Sequence, residues 1–105
     1  MTLQDIRELL ETAGMPVAYD HFPADEPQEL PFICYLEAGT NNFAADGAAH
    51  AVVRRIHAEL YTADKDPAAE ERLEAALSGI FWNKSETYLD AERMYMIVYE
   101  YEMEV

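Results

Sequence analysis

The sequence predicts an α+β domain: an antiparallel sheet of about four strands with two helices packed on one face, in the order α-β-β-β-α-β. Three observations predict it. Apolar residues recur at helical spacing over residues 3–13 and 67–80. Apolar and polar residues alternate with period two between those stretches and again at the end. Proline, glycine and an Asp-Gly pair separate the segments. A chain of 105 residues fits one domain, here 1–105.

The first helix opens at Thr2, with Asp5 three residues on in the manner of a capping box. Leu3, Ile6, Leu9, Leu10 and Ala13 form its buried face, Gly14 stands as the C′ glycine, and Pro16 prevents resumption. "PVAYDHF" reads as a short strand. "PADEPQELP" holds three prolines and three acids and reads as an exposed loop. "FICYLEAG", bounded by Pro31 and Gly39, is the second strand.

"TNNFAADGAA" carries turn chemistry, since Asp46-Gly47 favours a tight reversal. In "AHAVVRRIHAELYT", Val52, Ile56, Ala58 and Leu60 share one face, and Val53, Arg55, His57, Glu59 and Tyr61 share the other. This third strand forms a hairpin with the second through a long loop. Asp66 then caps the second helix and Pro67 takes its first position. Ala69, Leu73, Ala76, Leu77 and Ile80 face inward, while Glu70, Glu71, Arg72 and Glu74 take the wet face. "FWNKSETYLDAE" is a connector with room for a short strand. "RMYMIVYEYEMEV" is the clearest strand. It is apolar on both faces through its middle, as a central or partner-covered strand is.

The composition excludes several functions. The formal net charge is −14, with seven basic residues against 21 acidic ones. A nucleic-acid backbone or an anionic membrane surface needs clustered Lys and Arg, so neither is expected as a partner. Cys34 is the only cysteine, so no intramolecular disulfide can form. The N-terminus is acidic and amphipathic, unlike a signal peptide, and no apolar run approaches the roughly 20 residues of a membrane span. The expectation is a soluble chain in a reducing compartment.

Catalytic and metal chemistry find little purchase. The cluster Asp64, Asp66, Glu70, Glu71 and Glu74 lacks the glycine of a calcium loop, and Asp66-Pro67 is accounted for as a helix start. His50 and His57, seven apart in one predicted strand, point to opposite faces. His57 and Glu59 share a face, but two ligands make a poor zinc site. Cys34 reads as a buried small hydrophobe. Ser78 and Ser85 have no nucleophile-elbow glycines, and there is no Gly-rich phosphate loop. No catalytic residue, metal or cofactor is expected, and the chain does not read as an enzyme. Tyr95, Tyr99 and Tyr101 suggest core packing, with hydroxyls reaching water, or a subunit interface.

Taken together, "ELYTADKDPAAEERLEAAL", "YLDAERMYMIVYEYE", the apolar strand after "LPF" and "NNFAADG" resemble the small tail-terminator and tail-completion proteins of long-tailed phages and prophages. These are also described as head–tail joining or minor structural proteins. The likeness covers nearly the whole chain in element order and rests on structural signatures. It implies a homo-oligomeric ring, commonly a hexamer, that caps the tail tube and joins tail to head. The implied partners are other copies of the chain, the tail-tube protein and the head–tail connector. The implied location is the virion tail, after assembly in the bacterial host cytoplasm. Within that family three interaction regions are expected. They are the hairpin tip (Asn41, Asn42, Phe43, Asp46, Gly47), the acidic loop (Asp25, Glu26, Glu29) and the end strand (Tyr95, Tyr99, Tyr101).

Two other readings compete. An acidic binding module, such as a DNA-mimic inhibitor, would present carboxylates at phosphate-like spacing along one stripe. A small hydrolase would converge a carboxylate pair in a pocket. The acids are spread through every element, which favours the structural reading.

Overall fold

The computed structural model describes residues 2–45 and 47–104. Its elements are α1 (Leu3–Glu11), β1 (Val17–Tyr19), β2 (Phe32–Thr40), β3 (Phe43–Ala45), β4 (Ala48–Ala51), β5 (Val53–Thr62), α2 (Pro67–Ala76), β6 (Asn83–Leu89) and β7 (Met94–Glu104). Five strands form one sheet in the order β1-β2-β5-β7-β6, and β3 and β4 form a separate two-stranded ribbon. The α+β class holds, with both helices supplying side chains to one core.

The caps form as their residues dictate. Thr2 Oγ1 accepts from the Asp5 amide at 3.1 Å, and the Thr2 amide donates to Asp5 Oδ2 at 2.7 Å. This closes the capping box and satisfies two otherwise orphaned amides. Asp66 Oδ1 accepts from the Ala69 amide at 3.1 Å, with Pro67 at the start of the helix. Gly14 turns the chain out of α1 at a φ of +81°.

The core lies between the helices and one sheet face. Ile6 and Leu10 of α1 and Ala69, Leu73 and Leu77 in and after α2 meet Ile33, Ile56, Ala58, Leu60, Ile97 and Tyr99. The alternation in β5 works as expected from Ile56 to Thr62, where every second residue is buried. Val52 departs from it and is exposed, because the strand breaks there between β4 and β5. The same break puts His50 and His57 in different strands.

The sheet is wider than predicted and is mixed. The connector contains a full strand, β6, at the outer edge beside β7. β7 therefore pairs on both sides, antiparallel to β5 and to β6. β1 pairs with β2 in parallel, Val17 opposite Ile33 and Tyr19 opposite Tyr35. A parallel pair needs a crossover of a dozen or so residues, and residues 20–31 supply it. The loop thus has a path to complete, which its exposed, acidic composition does not convey.

Both helices end earlier than their apolar pattern. The second gives way after Ala76 to turns in which Leu77 remains buried and Ile80 half-buried.

Candidate functional site

The long loop between β2 and β5 is itself a hairpin. Asn41 and Asn42 leave the main sheet, β3 and β4 pair antiparallel, and Gly47 reverses the chain at a φ of +76°. Asp46, the other half of the predicted turn, lies outside the described residues. The hairpin base is pinned by its asparagines. Asn42 Oδ1 accepts from the Val53 amide at 3.2 Å, and Asn41 Nδ2 donates to Glu102 Oε1 at 3.1 Å. Phe43 is held out beside this base at 61% exposure. The molecule measures 49 × 27 × 23 Å.

The acidic loop is exposed along Asp25, Glu26 and Glu29. Its start packs on the sheet face opposite the helices. Phe22 meets Phe32 edge-on at 5.2 Å, and Phe32 meets Tyr61 at 5.1 Å. Between loop and sheet lies a cavity of about 400 Å³, with Phe22, Phe32, Cys34 and Tyr61 among its lining. Cys34 is buried there, and burial, with the charges of Glu59 and Asp20, pushes its thiol up to about 11. Such a thiol is protonated at neutral pH and is no nucleophile.

The end-strand tyrosines divide. Tyr99 and Tyr101 are buried in the core, and Tyr95 is half-buried against Tyr88 at 4.8 Å. Their expected hydroxyl contacts with water are a correction. Tyr99 donates to Glu74 Oε2 at 2.7 Å, while the Tyr101 hydroxyl is buried with no partner among the described residues. Neither ring offers surface to another subunit.

The acidic cluster that opens α2 also needs correcting. Glu70 was expected on the wet face, yet it is 3% exposed. Lys65 lies 2.6 Å from its Oε2 and Lys84 lies 3.1 Å from its Oε1. Lys84 also reaches Glu74 at 2.7 Å, and Lys65 reaches Glu86 at 2.5 Å. Glu74 is half-buried in the same network. The dipole favours glutamate here, but the burial follows from β6, a full strand where the sequence predicts a connector with room for a short one. The signal was present in the two lysines flanking the helix in an otherwise acidic stretch.

On the open sheet face, Glu100 bridges His57 at 3.0 Å and Arg55 at 3.7 Å. His57 and Glu59 do not share a bond, since Glu59 accepts from the Tyr61 hydroxyl at 2.9 Å. Among the described residues, no group of three or more His, Cys, Asp and Glu side chains is placed to hold a metal ion. Among them also, no helix is long and apolar enough to cross a membrane.

One further feature escaped the sequence. Phe81 is 86% exposed, and its neighbour Trp82 packs edge-on against Tyr99 at 5.2 Å. Phe81 borders a surface cavity of about 420 Å³ with Asn83, Glu100, Tyr101 and Glu102.

No family model and no curated protein matches this chain. Among solved structures, the fold is similar to a chain of a structure described as "Virion of native gene transfer agent (GTA) particle". The TM-score is 0.59 at 16% identity, over 98% of this chain and 89% of that one. That likeness is one of fold.

Proposed function

We propose that this chain is a structural protein of a phage or phage-like particle, acting as a tail terminator. In this reading copies assemble into a closed ring, in the manner of a hexamer, that caps the tail tube and meets the head connector. The observation that carries it is the end-to-end fold likeness to a component of a virion, a match spanning nearly all of both chains. The sequence resemblance points the same way. The molecule's own features are compatible. A ring needs a heterologous contact that closes on itself, and the hairpin, Phe43 and Phe81 supply exposed apolar surface away from the core.

In this reading the protein has no catalytic role and takes no cofactor. Its buried carboxylate, Glu70, is bound to two lysines, a structural use. Its acidic surface, where it lines the ring's channel, lets DNA pass without adhering.

Light scattering over a rising concentration series tests the ring directly, with the tail-tube protein added in a second series. A defined oligomer, alone or with the tube, supports the reading; a monomer in both series overturns it. The genes on either side give an independent check. Neighbouring tail-tube and capsid genes fit it, and an unrelated operon counts against it.

A further inference from the structure

We infer that the β3–β4 hairpin of one copy pairs with the unpaired end of β7 in a second copy, with Phe43 seated against Phe81. This rests on the ring reading and names the surfaces that would close the ring.

The acceptor is a step in the sheet edge. β6 pairs with β7 only from Leu89 opposite Met94 to Asn83 opposite Glu100. β7 continues to Glu104, and there its other side still pairs with β5, from Ile56 opposite Tyr101 to Val53 opposite Glu104. Among the described residues, Tyr101–Glu104 therefore has one side paired and one side open. An open edge presents amide and carbonyl groups that a further strand can meet. Phe81 stands beside this edge, and the packed Trp82 next to it fixes the turn. An almost fully exposed phenylalanine on an anchored turn is what an unfilled contact leaves in view.

The donor is the hairpin. β3 and β4 form a ribbon of two strands, so each keeps one unpaired side. The strands are rich in alanine, which lets another backbone approach closely, and Phe43 supplies one large apolar side chain. A copy cannot fill its own step. The hairpin continues β2 and β5, and β5 lies on the opposite side of β7 from the step. Pairing is therefore between copies and head-to-tail, the geometry that closes rings.

Charge does not oppose this pairing. The step is flanked by Glu100 and Glu102, and each is engaged within its own chain: Arg55 lies 3.7 Å from Glu100, and Asn41 donates to Glu102 at 3.1 Å. Residues 41–52, the hairpin itself, carry one charged residue, Asp46, in a chain of net −14, so it meets those carboxylates with little like-charge repulsion.

The test uses the full chain. Phe43→Asp and Phe81→Asp change exposed residues, so both variants are expected to fold, as circular dichroism checks. Each is expected to raise the concentration for half-assembly by about thirtyfold, as for loss of an interface hot spot. Phe43→Cys chains mixed with Phe81→Cys chains are expected to form a mixed disulfide under mild oxidation, since Cys34 is buried. Wild-type oligomers that persist in both aspartate variants, with no mixed disulfide, overturn the pairing and leave the ring reading standing. Absence of any wild-type oligomer, with or without the tail tube, overturns both.

Discussion

Lys84, on β6, lies 3.1 Å from Oε1 of Glu70, on α2, and Glu70 is almost wholly buried. β6 has no buried side chain of its own: six of its residues are exposed and Leu89 is intermediate. It is held by its ladder to β7 and by two lysine bridges, Lys84 to Glu70 and Glu74, and Lys65 to Glu70 and Glu86. Lysines and glutamates on an edge strand also discourage unwanted edge pairing.

Glu70→Ala is expected to destabilise the protein by about 1.5–3 kcal/mol, the range for hydrogen bonds to charged groups. Both lysines are more than a third exposed, so water takes over part of their solvation and the lower half of that range is expected. Urea unfolding followed by Trp82 fluorescence measures it. An unchanged midpoint would reduce the network to decoration.

The same site has a pH signature. Burial pushes the Glu70 carboxyl up, but hydrogen bonds and charge from Lys65 and Lys84 outweigh it, leaving it below its ordinary 4.5. Glu74 is likewise raised by burial and lowered further by Lys84 and Tyr99. A carboxyl with a lowered folded pKa adds stability above 4.5 and loses it as pH falls through the folded value. Neutralising other acids relieves repulsion in so acidic a chain, so the informative quantity is a difference. The gap in stability between wild type and Glu70→Gln is expected to be widest near neutrality and to shrink below pH 4.5. A gap independent of pH contradicts this.

Two tyrosines in one strand are expected to respond oppositely. Tyr99→Phe removes the 2.7 Å bond to Glu74, at a cost of about 1 kcal/mol. Tyr101→Phe removes a buried hydroxyl that has no partner among the described residues, so it is expected to be neutral or stabilising. Thermal unfolding of the two variants decides, and equal losses would mean that the Tyr101 hydroxyl is hydrogen-bonded.

Asp66→Ala is expected to cost about 1 kcal/mol through the lost cap on α2. Asp66→Asn keeps an accepting oxygen and is expected to recover most of it. Chemical denaturation of the pair separates a cap from a general charge effect.

Cys34 is expected to resist thiol reagents in the native state and to react fully in denaturant. Burial and the neighbouring charges hold its thiol at about 11, leaving almost no thiolate at neutral pH. Rapid native labelling would show that the cavity beneath the acidic loop opens.

The caps at Thr2 and Asp66, the buried stripes of both helices, the alternation of β5 and β7 and the reversal at Gly47 were legible in the sequence. Each depends on residues a few positions apart, and periodicity reports such local relations directly. Of the candidate regions, the hairpin tip and the acidic loop were legible as exposed turns for the same reason.

Only the tertiary structure decided the rest. The direction of β1 depends on the path of residues 20–31, which composition leaves open. Tyr99 and Tyr101 look the same in sequence as an interface stripe, and the helices packed over them make them core. Glu70 looks like a solvated helix residue until β6 brings Lys84 across it. Phe81 reads as one apolar residue among several, and it is exposed because Trp82 beside it takes the inward position. In each case the deciding contact joins residues distant in the chain, whose meeting is set by packing and strand order.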